Sequence, residues 1–554
     1  MAIGTGGDGL VAGLKAHGID TVFGLPGAQI YGLFDALQRA GVRVIGARHE
    51  QACGYLAFGY ARASGKPAVF AVVPGPGVLN SGAAALTALG CNEPVLCLTG
   101  EVPTTFLGIG SGHLHEMPDQ LGTLRKFYKR AERVEHPGVA TLAIAEAFQT
   151  MRAGRPGPAA IETPWEVFTR TGELGAPVVL PPLPPPPLDS DRIDAAARLI
   201  AASRAPMIFV GSGAFGARED IRNLAERLQA PVVAFRSGRG ILSNAHELGL
   251  TIAEAYELWP QTDLVIGIGT RLEIPRWRWP YRPEGQKTVR LDIDPVEMRR
   301  SIPDVAIVAD AAESTAALLA AVERIDRGGR DRLAAIRKAR AELAPRVELV
   351  QPQMAFLRVL REVLPANSIV TDELSQVGFA SWYGFPVYEP RTFISTGYQG
   401  NLGAGYQAAL GAKVTCPDRA VVAICGDGGF MFGVQEVATA AQFGIGVVAL
   451  VFNNGSYGNV LRDQVNGFGG RVLGAELNNP DFVKLAEAFG VSGARVATPA
   501  QLRPVLEKAI AANTPWIIEV TVQRNTEASP WPFIHPPRHP GVAGPGVPGD
   551  VFKR

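Results

Sequence analysis

Short apolar runs that end in glycine, aspartate or asparagine recur along the whole chain, with alanine- and glycine-rich stretches of helical length between them. Val447-Val448-Ala449-Leu450-Val451-Phe452 is the clearest: it carries no polar residue and then meets Asn453. A strand apolar on both faces is what a parallel sheet covered by helices requires, and open α/β sheets bind ligands where such strands end. Ala68–Val73, Val95–Thr99 and Ile369–Asp372 read the same way. Pro206–Gly213 and Leu264–Gly269 read as strands running into glycine turns. Val44–Glu50 reads as a strand feeding the helical stretch Gln51–Ala63, which puts Glu50 at a strand end. Strands alternating with helices predict a doubly wound α/β fold.

Proline divides the pattern. Pro181-Pro182-Leu183-Pro184-Pro185-Pro186-Pro187 cannot continue a helix or a sheet and predicts a stiff extended connector. A middle domain follows from Ser190, with a strand ending at Asp292-Ile293-Asp294. A charged helix over Arg330–Leu349 leads into a third domain whose first strand is Ile369–Asp372. The 554 residues, 47% hydrophobic, exceed what one core holds. The expected division is 1–172, a linker over 173–189, 190–345, 346–528 and a tail over 529–554, giving three doubly wound α/β domains with parallel sheets. The tail, with Ser529-Pro530-Trp531-Pro532-Phe533, reads as either a loose end or a segment folded over a cleft.

Charge and cysteine narrow the function. A net charge of +1 gives no electrostatic footprint for nucleic acid. No apolar run reaches membrane-spanning length, and Met1–Asp8 lacks the basic and apolar regions of a signal peptide, so the expectation is a cytoplasmic protein. Cys53, Cys91, Cys97, Cys416 and Cys425 have no metal-type spacing and read as reduced, buried small hydrophobes.

The strongest chemical signal is Cys425-Gly426-Asp427-Gly428-Gly429-Phe430 followed by Asn453-Asn454-Gly455-Ser456. Glycines let backbone N–H groups approach phosphate oxygens, while the Asp427 carboxylate, the Asn454 amide and the Ser456 carbonyl supply hard oxygen ligands. A tight turn alone would explain the first half. The second half, delivered by the Val447–Phe452 strand, makes the pair suit a diphosphate held by Mg²⁺.

This pair resembles the diphosphate motif of thiamine diphosphate enzymes. Arg48-His49-Glu50-Gln51-Ala52 with Gly59-Tyr60-Ala61-Arg62-Ala63 is similar to the segment that carries the activating glutamate in the acetolactate synthase group. Gly24-Leu25-Pro26-Gly27, Gly75-Pro76-Gly77, Leu291–Pro295 and Gly400-Asn401-Leu402-Gly403 extend the similarity over nearly the whole chain. The resemblance implies a pyrimidine-binding, a central and a diphosphate-binding domain. It implies that thiamine diphosphate is held by Gly426, Asp427, Gly428, Gly429, Asn454 and Ser456, with Mg²⁺ on Asp427, Asn454 and Ser456. It also implies that Glu50 bonds N1′ of the aminopyrimidine, that Leu402 is the wedge bending the cofactor, and that the Gly400 carbonyl accepts from the 4′-amino group. In such enzymes Glu50 and the diphosphate site meet across a subunit boundary, so a homodimer is the minimum and a homotetramer the expectation.

Several positions depart from the acetolactate synthase pattern. Asp463 stands where that group has a tryptophan, beside Leu461 in the same segment. Gln29 stands where benzaldehyde lyase-like relatives have histidine, and His115 where many relatives have glutamine. With His113 these residues line the expected substrate pocket, and Gln29 and His115 could hydrogen-bond a substrate carbonyl or move a proton. Relatives hold flavin or an adenosine phosphate in the central domain. Here Thr270-Arg271-Leu272-Glu273-Ile274-Pro275-Arg276 lacks an acidic pair found in that group, which leaves FAD and a cofactor-free domain both open.

The reading is an enzyme that makes or breaks a C–C bond beside a carbonyl in a small molecule, with acetolactate synthase-like carboligation first. Benzaldehyde lyase-like cleavage, 2-oxo acid decarboxylation and hydrolytic cleavage of a 1,2-dione are alternatives. A catalytically silent cofactor-binding protein is the alternative of another class.

Overall fold

The structure, a computed structural model, describes residues 2–325 and 332–547. Among them are three six-stranded sheets and one two-stranded ribbon. The first sheet is built from Thr21–Gly24, Arg43–Gly46, Ala68–Val72, Val95–Glu101, Arg130–Arg133 and Ala159–Pro164. The second uses Pro206–Val210, Val232–Ala234, Gly249–Leu250, Leu264–Ile268, Lys287–Asp292 and Val305–Val308. The third uses Ile369–Asp372, Phe393–Ile394, Val421–Gly426, Val447–Asn453, Ser492–Val496 and Trp516–Thr521. Every pairing within the three sheets is parallel. The fold is therefore α/β, as the apolar runs predict.

The first and third sheets share one topology. In each, the second strand in chain order lies at an edge and is followed by the first, third, fourth, sixth and fifth. The middle sheet runs third, second, first, fourth, fifth, sixth. Each order contains a point where the winding reverses, and the crevice beyond the strand ends at that point is where such sheets take ligands.

Strand alternation sends successive side chains to different cores. Val422, Ile424, Val448, Leu450 and Phe452 face a core shared with the middle domain. Val421, Ala423, Cys425, Val447, Ala449 and Val451 face a core shared with the first domain, which holds Phe70, Val72 and Cys97 on its own side. Val69, Ala71, Leu96 and Leu98 face a third cluster inside the first domain.

Two helices, Glu50–Ser64 and Ala404–Thr415, form the contact between the first and third domains. Their backbones touch through glycine. A Cβ on Gly59 would lie 1.9 Å from the Ala408 carbonyl oxygen, and one on Gly411 would lie 1.9 Å from that of Leu56. The helix that starts with Glu50 is thereby fixed against the helix that follows the Leu402 loop.

Some elements differ from the sequence reading. Ala2–Thr5 pairs antiparallel with Thr171–Leu174, a ribbon whose partly exposed residues give no apolar pattern. The strand expected to reach Glu50 stops at Gly46, because His49 caps a helix whose first residue is Glu50. The proline connector has no regular secondary structure, and Ser190 opens the helix Ser190–Ala202 under the Asp189 cap. The charged helix covers Leu333–Val347, while Arg330 lies outside the described residues. The tail is folded, not loose. Trp531 stacks on Phe379, the Tyr256 hydroxyl donates to the Pro537 carbonyl at 2.8 Å, and Tyr281 meets His539 at 3.0 Å. Its residues 548–554 lie outside the described part.

The glycine crossing predicts that Gly59→Val lowers stability by about 2–3 kcal/mol, since backbone is the obstacle and cannot swing aside. Gly82→Ala, where the nearest atom is 4.0 Å away, is expected to leave thermal unfolding unchanged or raised. Calorimetric melting of both variants checks this.

Candidate functional site

At the reversal point of the third sheet, the strands ending at Asp372, Gly426 and Asn453 lie side by side, and their ends share the edge where such sheets take ligands. Asp427 is the first residue after its strand and organises the turns around it. Its carboxylate accepts from the Gly428 amide at 2.9 Å, the Gly455 amide at 2.8 Å and Asn479 Nδ2 at 2.7 Å. Burial pushes this carboxyl up, against the pull of those N–H donors. Asn454 Oδ1 accepts from the Ser456 amide at 3.0 Å and hydroxyl at 2.8 Å, while its Nδ2 donates to Glu527 at 2.6 Å. Asp427, Asn454 and Ser456, named from the sequence as one ligand set, are thus drawn together around Gly455.

The donor set suits a cation shared with a phosphate. Among the described residues no three His, Cys, Asp or Glu side chains cluster as a metal site. Asp427 brings one carboxylate, beside an amide and backbone carbonyls. Mg²⁺ keeps waters and prefers one or two carboxylates plus phosphate oxygens over an all-protein cage. The residues present therefore fit Mg²⁺ bound with a diphosphate, which would also offset the cost of burying Asp427.

The glycines have a second reason to be glycine. A Cβ on Gly428 would meet Tyr457 at 2.4 Å, and one on Gly429 would meet the Glu373 carboxyl at 2.3 Å. In the neighbouring loop Gly400 has φ 57° and Gly403 φ 80°, left-handed values that favour glycine. Between them Leu402 is only partly buried and belongs to none of the three core clusters. An apolar side chain held between two left-handed glycines and outside the core is free to face a ligand.

In the first domain, Glu50 is positioned from both sides. The Arg48 amide donates to both oxygens of Glu436, in the third domain, at 3.1 Å, and His49 Nδ1 accepts from the Gln51 amide at 3.1 Å. Asn80 Nδ2 donates to Glu50 Oε2 at 3.1 Å. Among the described residues Glu50 and Asp427 share no hydrogen-bond partner.

Gln29 and His115 are brought together. Gln29 is buried, its Oε1 lies 2.8 Å from His115 Nδ1, and its Nε2 donates to the Leu114 carbonyl at 2.5 Å. His115 has φ 60°, and its loop crosses so close to Gly75 that a Cβ there would lie 2.5 Å from the His115 carbonyl oxygen. His113 packs against Phe106 and Trp165, with its Nδ1 3.4 Å from the same Leu114 carbonyl. In the third domain Leu461 is buried on the helix Gly458–Gly467. Asp463 is on the opposite, exposed face of that helix, where Asn459 donates to it at 3.1 Å. Asn459 Oδ1 in turn accepts from Trp531 Nε1 of the tail at 2.6 Å.

Sequence reasoning missed Glu373, Asn479, Glu527 and Glu436. Glu373 directly follows the strand Ile369–Asp372, and an acid at a strand end was the available signal. Asn479 comes from a loop with no motif of its own.

A second crevice of about 510 Å³ lies between the domains, where the middle sheet reverses at Gly211 and Gly269. Glu273 is committed there: burial would raise it, but the Arg236 and Arg278 guanidiniums hold it below its usual range. Arg271 lies over the Tyr398 ring at 4.8 Å and donates to the Gly90 carbonyl at 2.9 Å. Burial pushes Asp292, at the strand end, up to about 6.

Comparison with known proteins agrees with this arrangement. Residues 4–123 match the N-terminal TPP binding domain of thiamine pyrophosphate enzymes, 193–318 the central domain and 374–520 the C-terminal TPP binding domain. A probable acetolactate synthase large subunit of Methanocaldococcus jannaschii is 33% identical over 93% of this chain and 92% of its own. A probable 2-ketoarginine decarboxylase of Pseudomonas aeruginosa is 34% identical over 88% of each chain. The acetolactate synthase isozyme 1 large subunit of Escherichia coli is 30% identical over 96% of each. The chain belongs to the thiamine pyrophosphate enzyme family, and it is a carboligase or decarboxylase dependent on that cofactor.

Proposed function

We propose that the protein is a Mg²⁺-dependent enzyme that takes a 2-oxo acid as donor, removes its carboxylate as CO2 and joins the remaining acyl unit to a second carbonyl compound, in the manner of acetolactate synthase. The observation that carries this is the third-domain crevice, where one buried carboxylate, an asparagine and glycine amides converge at the reversal point. Asp427, Asn454 and the Ser456 carbonyl would hold Mg²⁺, and Gly426, Gly428 and Gly429 would line the diphosphate. Leu402 and the Gly400 carbonyl would lie against the cofactor. Bound thiamine diphosphate supplies a nucleophilic carbon that adds to a substrate carbonyl.

The chain's own work is to place and protonate. Glu50, fixed by His49, Asn80 and the Glu436 grip on Arg48, holds a proton at N1′ of the aminopyrimidine. Gln29 and His115, already hydrogen-bonded to each other, are the polar pair for the substrate oxygen. His113 and Asp463, the latter on the exposed face of its helix, flank the approach, while Leu461 packs behind that helix. In this reading Glu50 serves the cofactor of a second copy of the chain, as the resemblance to the family implies. Exposed apolar residues on both sides support such pairing: Ile109 and Leu114 in the first domain, Phe468 and Leu473 in the third are 64%, 55%, 61% and 87% exposed. The minimum assembly is a homodimer and the expected one a homotetramer, in the cytoplasm.

Decarboxylation without ligation is the second reading, favoured by the exposed Asp463 carboxylate and by the decarboxylase relative. A charged wall suits a polar or cationic donor better than a second small apolar keto acid. FAD in the interdomain crevice is a separate reading, supported by the glycine turns at its reversal point; heat-released chromophore identifies it, and colourless protein retaining full turnover contradicts it.

Incubation with pyruvate decides among the activities. Acetolactate formation is expected; CO2 with free aldehyde supports the decarboxylase, and acyloin cleavage without 2-oxo acid turnover supports the lyase. Glu50→Gln is expected to slow deuterium exchange at cofactor C2 by at least about 100-fold, the usual size of a lost proton-transfer group. Equal exchange in both proteins would contradict the role of Glu50, and cofactor bound without C2 exchange in the wild type would favour the silent binding protein.

A further inference from the structure

We propose that Glu373 is a positioning residue: its carboxyl is a clip that holds the Leu402 loop in register with the diphosphate turn. The inference rests on the thiamine diphosphate reading of the crevice and adds to it a residue that touches neither the metal ligands nor the activating acid.

Glu373 follows the first strand of the third sheet at the reversal point, between the two segments it joins. Its Oε1 accepts from the Gly403 amide, the residue after Leu402, at 2.5 Å. Its other oxygen lies against Gly429, where a Cβ would come within 2.3 Å, so glycine is the residue that leaves room for the carboxyl. Glu373 is 3% exposed, and its Oε2 is enclosed without a hydrogen-bond partner. A buried carboxyl with one oxygen bonded and the other unpaired is costly to keep for packing alone. The adjoining residues serve the same crevice: Leu374 packs at 3.4 Å from a Cβ on Gly400, and Ser375 at 3.1 Å from one on Gly426.

Burial pushes the Glu373 carboxyl up to about 8, opposed by the Gly403 amide it bonds and, less, by the Gly405 and Gly426 amides, neither of which hydrogen-bonds Oε2, and reinforced by Asp372. Tyr55 and Cys425 are the other titratable groups facing it, and burial raises both. No lysine or arginine acts on it among these groups. The carboxyl ties the two segments together through its bond to the Gly403 amide and its seat against Gly429.

The test separates the two halves of the site. Inorganic pyrophosphate with Mg²⁺ reports on the diphosphate turn alone, while C2 deuterium exchange in bound thiamine diphosphate requires turn and wedge in register. Glu373→Gln keeps an oxygen for the Gly403 amide and is expected to exchange within about threefold of wild type. Glu373→Asp, one methylene short, and Glu373→Ala are expected to exchange at least about tenfold slower, as loss of alignment dictates, with pyrophosphate affinity unchanged. A purely structural role would weaken pyrophosphate binding in parallel with exchange, and that result overturns the proposal. So does wild-type exchange in Glu373→Asp, or a Gln variant as slow as Asp. If Ala does not fold, the Asp and Gln pair decides alone. Wild-type protein that binds neither ligand would instead defeat the cofactor reading of this crevice, a distinguishable failure.

Discussion

One buried carboxylate, Asp427, determines how the third domain presents its strand ends. It gathers the Gly428 amide, the Gly455 amide and Asn479 from three separate turns. Burying a charge in this way is unfavourable unless a cation or further donors compensate. The turn is therefore incomplete by itself, and its need for positive charge is the physical reason a Mg²⁺–diphosphate ligand suits it. Glu527 and Glu519, which hold Asn454 and Asn453, keep both asparagine amides pointed for this purpose.

A second constraint acts at longer range. The crossing of Glu50–Ser64 on Ala404–Thr415 depends on glycine at two positions, and the Glu436 grip on the Arg48 amide locks the approach to Glu50. Together these tie the start of the Glu50 helix to the helix that follows the Leu402 loop.

Much of this was legible in sequence, and the reasons differ by element. Val447–Phe452 announced a parallel strand because burial on both faces forbids polar residues there. Gly426–Gly429 and Asn453–Ser456 announced a turn chemistry because strand ends and glycines are local features. Glu373, Asn479 and Glu527 were not legible, since their roles arise only when the fold brings distant turns together. The glycines at 428 and 429 carried a hidden packing meaning, visible only once Tyr457 and Glu373 are seen against them. The tail illustrates the same limit: aromatic and proline content hinted at order, but only the structure shows Trp531 bonded to Asn459 on the helix that carries Asp463.

The most direct test of the central claim is calorimetric titration of the metal-free protein with thiamine diphosphate, with and without Mg²⁺. One cofactor per chain, taken up tightly with Mg²⁺ and weakened by at least about tenfold when the cation is chelated, is the predicted result. Uptake of equal strength with and without the cation, or none at all, would contradict it.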